Sequence, residues 1–249
     1  MPLIFGIHPV QEALVNGQID RLVVQQDLHN PRVHQLVQRA RAAGLDLRLE
    51  TRVQMDRLCN GGLHQGIAAY VTERPLIPLE ELLPEAGPIP LVILLDGIED
   101  PHNLGAIIRS ADGAGATGIV LPKRRSAPLS DAVWRASAGA AAHARICRVS
   151  NLAAAMEWLK GKGLWLIGAD GGADTPWCEA DYTGPVGLIV GREGEGLHQL
   201  VRQRCDFLVA LPMLGQVSSL NVSVSTGILL YEAVRQRRPA VAKSGGVVR

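Results

Sequence analysis

The hydrophobic and polar positions divide the chain into two differently patterned stretches. From Leu91 onward, apolar runs such as LVILL at Leu91–Leu95 and VGLIV at Val186–Val190 show no polar alternation, as strands do when a mainly parallel sheet is buried on both faces. Further runs near Gly118–Leu121, Ala144–Val149, Leu164–Gly168 and Phe207–Leu211 predict strands, with helices between most of them. The front of the chain is patterned on a smaller scale. It predicts a short helix at Pro9–Val15, a strand at Arg21–Gln25, a helix at Pro31–Ala43 closed by Gly44, and strands at Leu45–Leu49 and Ile67–Thr72. Between the two stretches, prolines at 75, 78, 84, 88 and 90 are too dense for a continuous helix or a central strand. The expected organisation is a small α/β domain at 1–74, a Pro-rich linker at 75–90, an α/β domain with a mostly parallel sheet at 91–238, and a fraying tail at 239–249.

The longest predicted helix follows a loop within Leu211–Arg238 and begins unusually. Ser218, Ser219, Ser223, Ser225 and Thr226 crowd its start, where hydroxyls compete for backbone hydrogen bonds. Ser218 or Ser219 is the expected N-cap, but capping needs one such residue. The excess, with Asn221 among it and Gly215 before it, suggests a helix mouth that binds a polar ligand. Two other loops join apolar runs to polar, Gly-containing segments: DGIEDPHNLGAIIR at Asp96–Arg109 and LIVGREGEGL at Leu188–Leu197. In a parallel sheet all three would meet at the carboxyl ends of strands, where such folds bind ligands.

Composition narrows the choices. A hydrophobic content of 47% supports a packed core, and with no apolar run of membrane-spanning length and no cleavable leader pattern the protein is expected to be soluble and cytoplasmic, with no membrane partner. The net charge is only +1, so nucleic-acid binding would depend on local clusters: Arg32, Arg39 and Arg41; Lys123, Arg124 and Arg125; Arg235, Arg237 and Arg238. Aromatic residues at 4% argue against a platform stacking many bases. Cys59, Cys147, Cys178 and Cys205 form no CxxC pair, and the histidines lack metal spacing, so reduced, mostly buried thiols and no metal are expected. Gly113, Gly115 and Gly118 spell GxGxxG but follow a helix and precede a strand, the reverse of a dinucleotide fingerprint. Within GREGEG, Glu193 and Glu195 would repel phosphate, whereas a sulfonium cofactor suits acids and closely approaching glycine backbone.

Asn103, Gly105 and Arg109 in NLGAIIR, Gly191, Glu193 and Gly196 in GREGEGL, and Ser219, Leu220 and Asn221 in SSLNVSVSTGILLYE resemble the three ordered motifs of the SpoU/TrmH family, over roughly residues 90–238. FGIHPVQEAL near the start and HQGIAA at 64–69 resemble the small substrate-binding domain of the RlmB-like bacterial branch acting on large-subunit ribosomal RNA. This resemblance implies a SPOUT fold with a C-terminal trefoil knot, a homodimer packed through its long C-terminal helices, and transfer of methyl from S-adenosylmethionine to a ribose 2′-hydroxyl of structured RNA, a guanosine of 23S rRNA above all. It places Gly191, Leu211, Met213 and Leu220 around the cofactor, makes Arg109 catalytic, gives Glu193 the task of orienting Arg109 or helping to accept the proton, and leaves Asn103, Ser219 and Asn221 to hold the nucleotide and loop. Moving an arginine pKa from about 13 to 7 would cost on the order of 8 kcal/mol, so a charged guanidinium that grips phosphate and steadies the developing alkoxide is expected over a literal base. Transfer RNA as substrate, a non-catalytic RNA-binding or ribosome-assembly protein, and a dinucleotide-dependent oxidoreductase are the rival readings, the last disfavoured by the reversed GxGxxG order.

Overall fold

In the front of the chain, β1 (Leu3–Phe5), β2 (Ile19–Gln25), β3 (Asp46–Glu50) and β4 (Ile67–Val71) form a mixed sheet in the order β1-β4-β2-β3, with β4 antiparallel to β1 and β2, and β2 parallel to β3. The computed structural model describes residues 3–71, 76–84 and 87–238; the predicted tail at 239–249, positions 72–74 of the predicted front domain, and positions 75 and 85–86 of the predicted linker lie outside the described residues. Three helices accompany the sheet: α1 (Ile7–Val15), α2 (Pro31–Ala42) and α3 (Arg52–Leu58). Asn30 caps α2 by accepting the Arg32 amide, with Pro31 at the first helical position. Thr51 and Gln54 close a capping box on α3.

Alternation along β2 decides which helix covers which face. Val23 joins Leu3, Ala68, the α3 residue Met55 and the α3 C-cap Cys59 in one buried cluster. Leu22 and Val24 are buried on the opposite face, to which α1 and α2 therefore belong. The predicted front elements are all present with small shifts of boundary, but β1 and α3 were not predicted. β1 is too short to show a period, and α3 buries only Met55, so it carries no apolar stripe.

The second sheet is wholly parallel, in the order β10-β8-β9-β5-β6-β7. Its strands are β5 (Leu91–Leu95), β6 (Gly118–Pro122), β7 (Ile146–Val149), β8 (Trp165–Ala169), β9 (Val186–Val190) and β10 (Phe207–Val209). Intervening and following helices are α4 (Pro101–Gly113), α5 (Asp131–Ala136), α6 (Leu152–Gly161), α7 (Gln199–Arg204) and α8 (Val222–Arg237). Every residue of β5 and β9 is buried, as their unbroken apolar pattern requires. The reversed GxGxxG is a helix stop: α4 ends at Gly113, Gly115 turns with φ +68°, and β6 begins at Gly118.

By internal contacts the chain forms two compact units. One gathers Met1–Ile77, Ile98–Asp112 and Arg125–Arg145; the other gathers Pro78–Gly97, Gly113–Arg124 and Ile146–Arg249. Within the first unit, the Leu3 amide donates to Asp131 Oδ1 at 3.2 Å and the Arg135 guanidinium lies 5.4 Å from the centroid of the Phe5 ring. The front sheet thus packs on α5, a segment remote in sequence.

One basic cluster is corrected. Arg237 is no surface cation, because its guanidinium donates to the carbonyls of Tyr182, Ile89, Pro90 and Gly184, and burial lowers its pKa. Arg235 forks onto Glu232, whose carboxyl is held below the usual range by that hydrogen bond. The four cysteines are free thiols, and Cys178 is exposed. Among the described residues no helix is long and apolar enough to cross a membrane.

Candidate functional site

The loops after β5, β9 and β10 leave the same edge of the parallel sheet, since these strands run in one direction and Leu95 is in register with Val190. At this carboxyl edge Gly191 follows β9 and comes against the backbone of Gly196 and Leu197 so closely that a Cβ would lie 2.6 Å from the Leu197 amide nitrogen. Arg192 and Gly196 exchange two backbone hydrogen bonds of 3.0 and 2.9 Å, pinching GREGEG into a tight hairpin. Only glycine at 191 permits that approach.

The hairpin forms one wall of a cleft of about 780 Å³, within the size range of small-molecule sites. Leu211, Met213, Ser218, Ser219 and Leu220 from the loop before α8 form another wall, and Asp170, Gly171 and Gly172 after β8 a third. Gly191, Glu193, Leu211, Met213, Ser219 and Leu220, singled out in the sequence, are thereby brought together. Asn221 joins them: its side-chain amide donates to Glu193 Oε2 at 3.3 Å while its oxygen accepts the Ser223 amide at 2.9 Å and the Ser223 hydroxyl at 2.6 Å.

Asn221 is thus the N-cap of α8, where Ser218 or Ser219 was expected. An amide side chain caps as well as a hydroxyl and also has an N–H with which to reach Glu193. The serine excess is partitioned. Ser218, Ser219 and Ser225 line the cleft, Ser223 bonds to Asn221, and buried Thr226 donates to the Val222 carbonyl at 2.7 Å.

Asn103 and Arg109 lie on α4, in the other compact unit. Asp100 starts this helix, accepting the His102 and Asn103 amides at 3.1 and 3.2 Å. Leu104, Gly105, Ile107 and Ile108 are buried, and Arg109 is exposed. Gly105 passes so close to α5 that a Cβ would lie 2.8 Å from the Val133 carbonyl oxygen. The helical phase that buries both isoleucines turns Arg109 outward.

Two groups of cleft-side residues escaped the sequence reading. Asp96 is only 6% exposed and accepts both the His198 amide, at 2.8 Å, and its ring Nδ1, at 3.0 Å, clasping the end of β5 to the end of the GREGEG segment. Asp170 accepts Arg202 Nε at 2.6 Å and the Gly172 amide at 2.8 Å. Both acids follow apolar strands, as Asp96 visibly does after LVILL, but only the fold supplies their partners.

The cleft suits S-adenosylmethionine on its own chemistry. Among the described residues, none between Leu211 and Leu220 takes part in a backbone hydrogen bond, so their amides and carbonyls can meet an adenine edge. Leu197, Leu211, Met213, Leu220 and Val222 offer apolar contact. Arg192 is tied to Glu195 and Arg202 to Asp170, so the cleft presents carboxylates and neutralised guanidiniums, an environment for a cation and not for a phosphate.

Residues 90–231 match the SpoU rRNA Methylase family, and residues 3–76 match the model described as RNA 2′-O ribose methyltransferase substrate binding. The chain is 43% identical over 242 residues to the 23S rRNA (guanosine-2′-O-)-methyltransferase RlmB of Shewanella oneidensis, covering 95% of this chain and 98% of that protein. It is 42% identical over 240 residues to the protein of the same name from Pseudomonas putida, covering 94% and 96%. Among solved structures, the SpoU methyltransferase AviRb from Streptomyces viridochromogenes in complex with AdoMet superposes with a TM-score of 0.78 at 28% identity, covering 94% and 90%. An AdoMet-bound rRNA methyltransferase from Sinorhizobium meliloti gives a TM-score of 0.80 at 28% identity, covering 95% and 88%. The parallel sheet, the pinched glycine hairpin and the Asn221-capped helix mouth are carried by a chain that belongs to the SpoU rRNA methylase family.

Proposed function

We propose that this protein is an RNA ribose 2′-O-methyltransferase that uses S-adenosylmethionine and modifies a guanosine of 23S rRNA. The observation that carries the reading is the cleft at the carboxyl edge of the parallel sheet, walled by Gly191, Leu211, Met213 and Leu220 and fastened by the Asn221–Glu193 hydrogen bond. The relatives named for guanosine-2′-O methylation of 23S rRNA match this chain almost end to end, which favours that substrate over transfer RNA and over a non-catalytic assembly role.

The bound cofactor supplies an electrophilic methyl on a cationic sulfur. Gly191 and the 211–220 backbone hold the adenine end, and the apolar side chains exclude water from it. Asn221 fixes Glu193, and with Ser219 steadies the loop facing the nucleotide. Arg109, kept charged, would bind the phosphate beside the target ribose and stabilise the 2′-oxygen as its proton passes to the Glu193 carboxylate; Asn103 would orient the same unit. Lining the hydroxyl up against the methyl group is the main contribution required, because alignment alone removes much of the barrier.

The same proposal includes a domain boundary within 75–90, a homodimer, a cytoplasmic location and a C-terminal knot. Supporting the knot, the chain leaves β10 at the sheet edge, lines the cleft between Leu211 and Leu220, and then packs α8 on β9, two strands inward.

The test is methyl transfer from radiolabelled S-adenosylmethionine to a 23S rRNA transcript. The labelled linkage should survive alkali as a resistant dinucleotide, and a single 2′-deoxy substitution at the target should abolish transfer. Label recovered on the free base, or equal methylation of the deoxy substrate, would overturn the ribose assignment.

A further inference from the structure

The front sheet has one face that its helices do not finish covering. α3, of 7 residues, shields Val23, Ala68 and Leu3, but β3 beyond it is mostly exposed or half-exposed. The uncovered part is a groove of about 390 Å³ lined by Val23, Leu58, Tyr70, Arg48, Glu50, Gln54 and Arg57. Register places Arg48 beside Val23, so strand and helix residues converge from two sides of one face.

The lining has a distinct chemical order. Val23 and Leu58 give an apolar floor, and the Tyr70 ring packs against the same cluster. Glu50 holds Arg48 Nε at 2.7 Å and its side chain is only 14% exposed, while Arg48 is 63% exposed. Gln54 Oε1 is engaged by the Thr51 amide and hydroxyl, which leaves its NH2 group to donate. Arg57 is exposed and makes no side-chain hydrogen bond or ion pair among the described residues. The neighbouring Arg21 is paired with Asp46. The groove therefore combines one aromatic face, one donor-acceptor edge and one uncompensated cation.

We propose that this groove on the α3 side of the front sheet receives one unpaired nucleotide of the RNA substrate, other than the nucleotide that is methylated, with its base against Tyr70 and its phosphate on Arg57. The inference rests on the RNA-methyltransferase reading above and deepens it by naming the surface that selects the substrate. A base needs a flat apolar face, polar groups at its edge and a cation for its phosphate, and single-stranded RNA is recognised through such splayed bases. The volume holds one nucleotide, in keeping with the scarcity of aromatic residues in the chain. The arginines of α2, which the sequence suggested for RNA contact, belong to the opposite face of this sheet.

The experiment uses the full chain and a 23S rRNA transcript. Arg57→Gln and Tyr70→Leu should each raise the KM for RNA about tenfold, with kcat at saturating RNA and S-adenosylmethionine affinity unchanged. Tyr70→Phe, which keeps the ring, should behave as the parent protein and so separates stacking from fold damage. Arg57→Gln should also lower the slope of log affinity against log salt by about 1. In dimethyl sulfate footprinting, a nucleotide protected by the parent protein should become reactive with both groove variants while protection at the target persists. Unchanged RNA KM and footprint in active, folded Arg57→Gln and Tyr70→Leu would overturn the groove assignment and leave the methyltransferase reading standing. A parent protein that transfers no methyl to RNA would overturn both.

Discussion

The two sheets place chemistry in different ways. In the parallel sheet β5 and β9 are buried along their whole length, so polar residues can act only beyond strand ends, and there Asp96, Gly191 and Leu211 stand. In the front sheet one face lacks a complete helical layer, and Arg48, Glu50 and Tyr70 sit within strands. Full burial fixes a site by backbone and cannot tolerate side-chain change, whereas a half-covered face presents side chains that can change singly. The consequence is an expected ranking of mutational effects, largest at the parallel sheet's edge.

Gly191→Val should have the greatest effect. Even a Cβ at this position collides with the Gly196 and Leu197 backbone, so the hairpin must open and the cleft lose a wall. Calorimetry should show loss of S-adenosylmethionine binding by more than about 100-fold, equivalent to roughly 2.7 kcal/mol. A variant that binds normally would break the claim that backbone alone builds this wall. Arg109→Ala comes next and acts on a different step. The exposed side chain can be removed without disturbing Ile107 or Ile108, so cofactor affinity should persist while kcat falls by about 10²- to 10³-fold.

Much of the parallel sheet was legible because burial on both faces leaves an unmistakable signal, and LVILL and VGLIV begin and end where predicted. Glu193 and the serines of the cleft were legible for another reason, since glycine, acid and serine clustering between such runs has few structural uses, whereas Leu211, Met213 and Leu220 followed only from the family resemblance. The front sheet was less legible. Leu3–Phe5 is too short to display alternation, and α3 was hidden because one buried methionine makes no stripe. Asp96 and Arg237 were missed because their partners lie far away in sequence: His198 in one case, and the carbonyls of Ile89, Pro90, Tyr182 and Gly184 in the other. A single acid or arginine in a sequence carries no record of such partners.

Asp96→Ala should produce a smaller effect, on stability and cofactor affinity together. It removes the buried acceptor of two His198 hydrogen bonds, a loss of about 1 to 3 kcal/mol in urea unfolding. If S-adenosylmethionine affinity also falls about tenfold, the clasp positions the GREGEG hairpin. Stability loss with full affinity would confine Asp96 to the fold.

The mildest test compares how tightly each sheet is closed, using its own thiols. Burial pushes Cys59 in the front unit up to about 11, Cys147 beside β6 up to about 11, and Cys205 after α7 up to about 12, from an ordinary value of 9.0. Well below pH 9 all three are protonated in both folded and unfolded chains. As pH rises from 9 toward 11 and 12, the unfolded chain releases protons that the folded one retains, so stability must fall across that window. Because the thiolate is the nucleophile, iodoacetamide at pH 8.5 should label exposed Cys178 first. Cys59 ends the short helix α3, which buries a single residue, Met55, on its face of the front sheet, whereas Cys147 lies within a strand of the parallel sheet. Local opening should therefore expose Cys59 sooner, giving the labelling order Cys178, then Cys59, then Cys147 and Cys205. Mass spectrometry of timed, quenched samples reads this order directly. Equal protection of Cys59 and Cys147 would mean that α3 holds its face as firmly as the parallel sheet is held, and the contrast between the two sheets would then be one of chemistry without a difference in closure.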